Sequence, residues 1–202
     1  MGYQKHRRFW KNRKIDWKKS YFNTGHPHRG VLLRVLGKFQ FQSLLEVGCG
    51  AGANLANIQA NFNTQVGGVD INPDAIKEAK KELPNAYQLS VGEATALFFS
   101  DKSVDVILTD MCLIYLDNKA IKKAMKEIAR VARNGVIFCE FHSHSWWKRL
   151  LLRLSSGYFA HNYKKRMEAL GYYDICFYKI TDEMWPGGEP QKTFGYIITG
   201  RI

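Results

Sequence analysis

Residues 44–52 constrain the fold of this 202-residue chain more strongly than any other stretch. A short apolar run is followed here by three glycines at alternate positions, Gly48, Gly50 and Gly52. Glycine has no Cβ, so its backbone can approach a ligand closely and can adopt turns that other residues avoid. We therefore predict a buried strand that turns through a glycine loop into a helix.

Alternating strand and helix patterns continue after that loop. Short apolar runs predict strands, and longer runs with a period near 3.6 predict the helices that separate them. This spacing favours a parallel sheet with helices on both faces. The predicted strands are residues 43–47, 64–70, 86–91, 104–109 and 136–141, and the helices between them are residues 54–62, 73–82 and 118–131.

The two ends of the chain complete this α/β organisation. Before the first strand, residues 7–23 and 29–39 have the periodicity of two amphipathic helices. After the fifth strand come two predicted helices and two predicted strands, at residues 145–154, 158–170, 173–180 and 193–202. We expect a Rossmann-like, doubly wound sheet, divided into a basic helical cap over residues 1–40 and one globular unit over residues 41–202.

Acidic residues stand at or just after the ends of four predicted strands. In sheets of this kind, ligands bind at the carboxyl ends of the strands. We therefore expect these carboxylates to converge on one binding site. They are Glu46, Asp70, Glu93 and Asp110.

The glycine spacing leaves the ligand open. The dinucleotide fingerprint is G-x-G-x-x-G, and it allows alanine at the third position, which Ala53 occupies here. Glu46, two residues before the first glycine, would repel a diphosphate but suits a ligand that carries an ammonium group. An NAD-dependent oxidoreductase is therefore an alternative, opposed mainly by Glu46.

At these residues the chain resembles the class I S-adenosylmethionine-dependent methyltransferases of the type 11/25 kind, whose first motif reads like E-V-G-C-G-x-G. The resemblance covers residues 43–141, about half of the chain. It implies S-adenosylmethionine as the cofactor, and a sheet that closes with a sixth strand and an antiparallel seventh.

The resemblance also implies roles for individual residues. Asp70 would bind the ribose diol, Glu93 and Ala94 the adenine, and Ile71 would pack on the adenine face. Tyr21 would close over the carboxylate of the cofactor. The full expected cofactor-binding set is Tyr21, Glu46, Gly48, Cys49, Gly50, Gly52, Asn54, Asp70, Ile71, Glu93, Ala94, Asp110 and Met111.

The chain departs from the family pattern at two places, one on the adenine side and one on the acceptor side. Glu93 stands where the family usually has aspartate, and Ile114-Tyr115 stand where it often has a histidine. His142 and His144, just beyond the fifth strand, are our candidates for a general base that accepts a proton from the acceptor. Each could equally be a polar loop residue, and we expect no metal site at these histidines.

A second group of polar residues precedes the first strand. The segment His26-Pro27-His28-Arg29 begins a predicted helix and could also face the substrate. Arg29 would suit a carboxylate or a phosphate on that substrate.

Charge is concentrated at the N-terminus. Residues 1–34 hold ten Lys/Arg and one acid, Asp16, which is +9 of the net +12. Such an arm indicates either an anionic partner or a solvated helix. It motivates the alternative of an RNA-modifying methyltransferase. The aromatic and basic residues 146–154 similarly allow a substrate lid, a peripheral membrane contact or an ordinary packed helix.

We therefore predict a methyltransferase that acts on a small-molecule acceptor, anionic or lipid-like in character. No apolar run reaches the roughly 18 residues that a membrane span requires. The four cysteines are widely spread in apolar segments, as is typical of reduced cysteines in the cytoplasm, where we expect this protein.

Overall fold

The computed structural model describes residues 2–202, so Met1, the first residue of the predicted cap, lies outside it. Seven strands form one sheet in the order β3-β2-β1-β4-β5-β7-β6. All strand pairs from β3 to β5 are parallel, whereas β7 is antiparallel to both of its neighbours. The strands are β1 Ser43–Val47, β2 Gln65–Asp70, β3 Gln88–Val91, β4 Val104–Asp110, β5 Ala132–Phe141, β6 Tyr173–Lys179 and β7 Gly195–Arg201. This topology confirms the predicted fold class.

Helices cover both faces of the sheet. Successive side chains of a strand point to opposite faces. On β4, Ile107 therefore joins the apolar cluster under α6, whereas Val106 and Leu108 join the cluster under α3, α4 and α5. The helices are α1 Tyr3–Asn12, α2 Trp17–Tyr21, α3 Pro27–Leu36, α4 Ala53–Asn61, α5 Pro73–Glu82, α6 Asn118–Val131, α7 Trp146–Ser156, α8 Tyr163–Glu168 and α9 Gln191–Phe194. None of the helices within residues 2–202 is long and apolar enough to cross a membrane.

The N-terminal region differs from the single helix predicted over residues 7–23, because α1 and α2 are separate. Asp16 caps α2 by accepting a hydrogen bond from the backbone of Lys19. The Asn72 side chain donates to the backbone carbonyls of Trp10 and Arg13 at the end of α1. The break is thus stabilised by a distant residue that no local pattern could indicate.

The C-terminal helix prediction over residues 158–170 was too long, because α8 begins only at Tyr163. Gly157 ends α7 in the left-handed conformation, at φ 77°. The chain then runs extended, and His161 bridges to His142 beside the end of β5. Backbone pairing with the sheet therefore prevents helix formation before Tyr163. Similarly, the predicted last strand begins at Gly195, after the short helix α9.

The loop after β4 depends on one buried carboxylate from β5. Glu140 is fully buried, and its oxygens accept hydrogen bonds from the Thr109 hydroxyl at 2.8 Å and from three consecutive backbone N–H groups at 3.0–3.1 Å. Those groups belong to Cys112, Leu113 and Ile114. The carboxylate thereby fixes the 3-10 turn Leu113–Tyr115, which follows β4.

We predict that Glu140→Ala lowers the free energy of unfolding by at least about 3 kcal/mol, because three buried N–H groups lose their acceptor. Glu140→Gln keeps one carbonyl oxygen and should cost less. Urea denaturation of the wild type and both variants measures the difference. An alanine variant as stable as the wild type would contradict this role for Glu140.

Candidate active site

A cavity of about 400 Å³ opens at the carboxyl ends of β1, β2 and β4. The four strand-end acids all line it, as do the glycine loop after β1 and the three N-terminal helices. Of the residues predicted to bind a cofactor, the structure brings all but Gly52 to this cavity. A Cβ on Gly52 would meet the side chain of Leu83 at 2.6 Å, so this glycine allows close packing of the loop on α5 rather than facing the cavity.

The glycine loop is held against the neighbouring strands. Gly48 has φ +83°, and a Cβ there would clash with the Cys112 side chain. Asp70 ties the loop to the start of α5 by accepting hydrogen bonds from the backbone of Gly50 and Asn72 at 2.9 and 2.8 Å. Burial raises the pKa of Asp70, while these backbone hydrogen bonds act in the opposite direction.

Two buried carboxylates face each other across the side chain of Asn54. Its Nδ2 donates to Glu46 Oε1 at 2.6 Å and to Asp110 Oδ2 at 3.0 Å. The other two oxygens, Glu46 Oε2 and Asp110 Oδ1, are buried and have no hydrogen-bond partner within the described residues. Burial raises the pKa of Glu46 to about 8. Unpartnered buried carboxylate oxygens of this kind suit a cationic ligand group such as an ammonium.

Asp110 also organises the start of α3. His28 Nε2 lies 2.8 Å from Asp110 Oδ2, and His28 Nδ1 lies 2.6 Å from His26 Nδ1. Arg29 Nη1 lies 3.7 Å from the same Asp110 oxygen and donates a hydrogen bond to Asn54 Oδ1. Burial favours the protonated form of Asp110, but His28 and Arg29 outweigh it and hold the pKa of Asp110 well below its usual value.

Glu93 has a partner that the sequence did not indicate. Its carboxylate accepts hydrogen bonds from the Arg7 guanidinium, with Nε 3.0 Å from both oxygens, and from the Tyr3 hydroxyl at 3.4 Å. The hydrogen bond from Arg7 lowers the pKa of Glu93. The acid predicted to receive the adenine amine is therefore already engaged with α1.

Aromatic side chains close the cavity from the N-terminal side. The Trp10 ring lies 5.1 Å from Tyr115 and 6.1 Å from Tyr21, between ring centroids. The Trp185 ring, from the segment between β6 and β7, lies 4.4 Å from His28. Neither Trp10 nor Trp185 was among the predicted site residues.

Met111 follows β4 and adopts φ +49°, an unusual conformation for a residue with a side chain. It lines the cavity beside Asp110. Backbone strain of this kind persists where surrounding structure imposes it, often at functional sites. The hydrogen bond from Met111 N to the Cys139 carbonyl, at 2.8 Å, contributes to holding it there.

The structure corrects the predicted position of His142 and His144, because neither lies among the described residues that line the cavity. His142 is buried, and its Nδ1 accepts a hydrogen bond from the backbone of Tyr163 at 3.2 Å. Its ring packs 4.6 Å from Phe177, and burial lowers its pKa to about 4. His144 is exposed and lies 3.3 Å from His142 through their Nε2 atoms. Both belong to the junction between β5 and the C-terminal elements.

Comparisons with known proteins agree with this fold. A family model described as a methyltransferase domain matches residues 44–135. Ajmaline N-methyltransferase from Rauvolfia serpentina is 28% identical over 99 residues, which are 46% of this chain and 33% of that protein. The 2-methyl-6-phytyl-1,4-hydroquinone methyltransferase of Synechocystis is 31% identical over 97 residues, which are 47% of this chain and 30% of that protein. The chain thus spans about a third of the length of these relatives.

Solved structures share the fold over nearly the whole chain. Geranyl diphosphate C-methyltransferase from Streptomyces coelicolor, in complex with S-adenosyl-L-homocysteine, superposes with a TM-score of 0.71 at 14% identity, covering 100% of this chain and 98% of that one. A methyltransferase from Leishmania major gives 0.74 at 16% identity, covering 99% and 82%. Residues 44–135 therefore match a methyltransferase domain, and nearly the whole chain has the Rossmann-like fold of these solved class I methyltransferases.

The raised pKa of Glu46 has a consequence for stability. In the unfolded chain this carboxyl ionises near its usual value of 4.5, whereas in the folded protein it keeps its proton to about pH 8. The folded state therefore binds more protons between these values. Its stability should fall as the pH rises through this window, by up to about 1.4 kcal/mol per pH unit from this group.

We predict that Glu46→Gln removes this contribution. Chemical denaturation between pH 5 and pH 8 should show a shallower loss of stability in the variant than in the wild type. Glu168→Gln, at an exposed position on α8, is the matched control and should behave as the wild type. Equal pH dependence in the wild type and Glu46→Gln would contradict the assignment.

Proposed function

We propose that this protein transfers a methyl group from S-adenosylmethionine to a small organic acceptor. The observation that carries the proposal is the pair of buried, unpartnered oxygens on Glu46 and Asp110, two residues that line the cavity. The ammonium group of the cofactor is the cation that fits them. A diphosphate would be repelled there, which argues against a nicotinamide dinucleotide.

Other cavity residues suit the remaining parts of the cofactor. Asp70 keeps acceptor capacity for a ribose diol, since each of its oxygens accepts one backbone hydrogen bond. Ile71 and Ala94 line the cavity where an adenine ring would pack. Arg29 stands beside Asp110 and suits a carboxylate, and Tyr21 offers an aromatic wall. When bound, the cofactor supplies a methyl group already activated by the sulfonium.

The chain itself would contribute alignment, water exclusion and a proton acceptor. We propose that residues 1–40 act as a cap on the globular unit, with the described helices α1 and α2 closing the cavity. His26 replaces His142 and His144 as our proposed base. His26 lines the cavity and contacts His28, which in turn contacts Asp110. The negative charge of Asp110 would therefore stabilise a proton that His26 takes up. Burial lowers the pKa of His26, which favours its neutral, proton-accepting form.

The chemistry of the walls favours a neutral or cationic acceptor over the anionic one predicted from sequence. Both arginines that line the cavity already have acidic partners, Arg7 with Glu93 and Arg29 with Asp110. Aromatic rings on the opposite side suit flat amines or phenols. Amine and hydroquinone chemistry also occurs in the names of two relatives.

An RNA acceptor has less support. The basic arm folds onto the body, where Lys14 pairs with Asp74 at 2.6 Å and Lys18 with Glu82 at 2.6 Å. These cations are therefore partly neutralised by acids of α5.

The cofactor assignment is tested by isothermal titration with S-adenosylmethionine, S-adenosylhomocysteine and NAD. We expect micromolar binding of the first two and none of NAD. Affinity should rise as the pH approaches 8, because Glu46 must ionise to pair with the ammonium, and the change is up to about tenfold per pH unit. Glu46→Gln should weaken binding and remove that pH dependence, whereas Glu168→Gln should do neither. Tighter binding of NAD would overturn the proposal.

The proposed base is tested by release of S-adenosylhomocysteine with a panel of amines and phenols. For a phenol acceptor, His26→Gln should lower kcat by about a hundredfold while cofactor affinity stays near the wild-type value. His144→Gln, at the histidine outside the cavity, is the matched control and should keep full activity. The opposite pattern in the two variants would contradict the assignment to His26.

A further inference from the structure

Helix α7 presents an apolar face that no described part of the chain covers. Its exposed side chains include two tryptophans, whose rings stack at 4.8 Å and 8°. Leu152, by contrast, is buried against the body of the protein. The exposed apolar side chains are Trp146 at 63%, Trp147 at 57%, Leu150 at 36%, Leu151 at 58% and Leu154 at 74%.

These five residues form one continuous face. At about 100° per residue, they fall within an arc of about 140° on the helix surface. Leu152, the one buried residue of α7, lies on the opposite side. The apolar face therefore points away from the protein, which is the reverse of an ordinary amphipathic surface helix.

The surroundings of this face are strongly basic. Residues 143–167 contain six Lys/Arg and no acid. Lys148 and Arg153 of α7 are exposed, as are Lys164 and Lys165 on α8. Apolar and aromatic side chains flanked by cations are the pattern of a helix that lies in the interface of an anionic bilayer. Cations near such a surface each contribute about 1 kcal/mol to binding.

We propose that α7 docks this protein on an anionic phospholipid membrane, with Trp146, Trp147 and Leu151 inserted into the interface. Leucines without polar partners do not suit a nucleic acid, whose contacts are mainly to phosphate. A second copy of the chain would bring two basic regions of the same sign together. Charge complementarity thus favours an anionic bilayer over a second copy of the chain.

The docked helix adjoins the cavity wall. The carbonyl of Gly157, just after α7, lies 3.1 Å from His6 Nε2, and His6 lines the cavity. If the proposed function holds, docking would place the cavity wall near the bilayer, where an apolar acceptor dissolves. Membrane binding itself is independent of catalysis and is measured without turnover.

Co-sedimentation with vesicles tests the docking directly. The wild-type protein should bind vesicles of phosphatidylcholine mixed with phosphatidylglycerol at least about tenfold more tightly than pure phosphatidylcholine vesicles, and added salt should weaken that binding. Bromine-labelled lipid in the mixed vesicles should quench the tryptophan fluorescence. This second readout requires no variant.

Matched variants separate the contribution of the apolar side chains to vesicle binding from the contribution of the positive charges. Trp147→Ser with Leu151→Ser should weaken binding at least about tenfold, whereas Phe98→Ser, at a residue 78% exposed elsewhere, should not. Lys148→Glu with Arg153→Glu should also weaken binding. Lys122→Glu with Lys123→Glu, at exposed positions on α6, changes the net charge equally and should have a much smaller effect. Circular dichroism checks that each variant is folded.

Three results would overturn the proposal. One is absence of vesicle binding by the wild type at low ionic strength. Another is equal binding by the α7 variants and their controls. The third is a dimer in analytical ultracentrifugation that Leu154→Glu dissociates, since the apolar face would then be an interface between copies. Loss of vesicle binding with intact cofactor binding would leave the proposed methyl transfer unaffected.

Discussion

The arrangement of two buried carboxylates around one amide governs this structure. Glu46 and Asp110 end adjacent parallel strands and would repel each other if both were ionised. Asn54 donates to both, His28 contacts Asp110, and Arg29 adds positive charge on the Asp110 side. The glycine loop, the start of α4 and the start of α3 are thus held together by one polar network. That network leaves one buried oxygen on each acid without a hydrogen-bond partner among the described residues.

The wall of the cavity also depends on residues of the basic N-terminus. In sequence, the positive arm is equally compatible with a free, phosphate-binding tail. In the structure, Arg7 pairs with Glu93 and Asn72 binds the end of α1. Part of the positive charge therefore stabilises the closed wall of the cavity. Helix α7, which has no acid of its own, carries a further uncovered basic and apolar surface.

Several site residues were predictable because strand ends impose their position. The carboxyl ends of β1, β2 and β4 share one edge of the sheet, so Glu46, Asp70 and Asp110 had to converge. The proposed base, His26, could not be found in this way. His142 follows a strand end as well, but its side chain turns into the packing between β5 and α8, where Tyr163 binds it. Which way a loop side chain turns depends on contacts with distant residues.

The sequence by itself determined the order of strands and helices along the chain and the glycine loop, because these rest on local periodicity and on backbone freedom. The class of cofactor followed from the resemblance of its motifs to a known family. Only the tertiary structure decided the partners: Arg7 for Glu93, His28 for Asp110 and Trp185 over His28. These residues are 80 or more positions apart in each pair. Local propensity carries no information on such pairs, since they form only when the packed sheet and helices bring them within hydrogen-bonding distance.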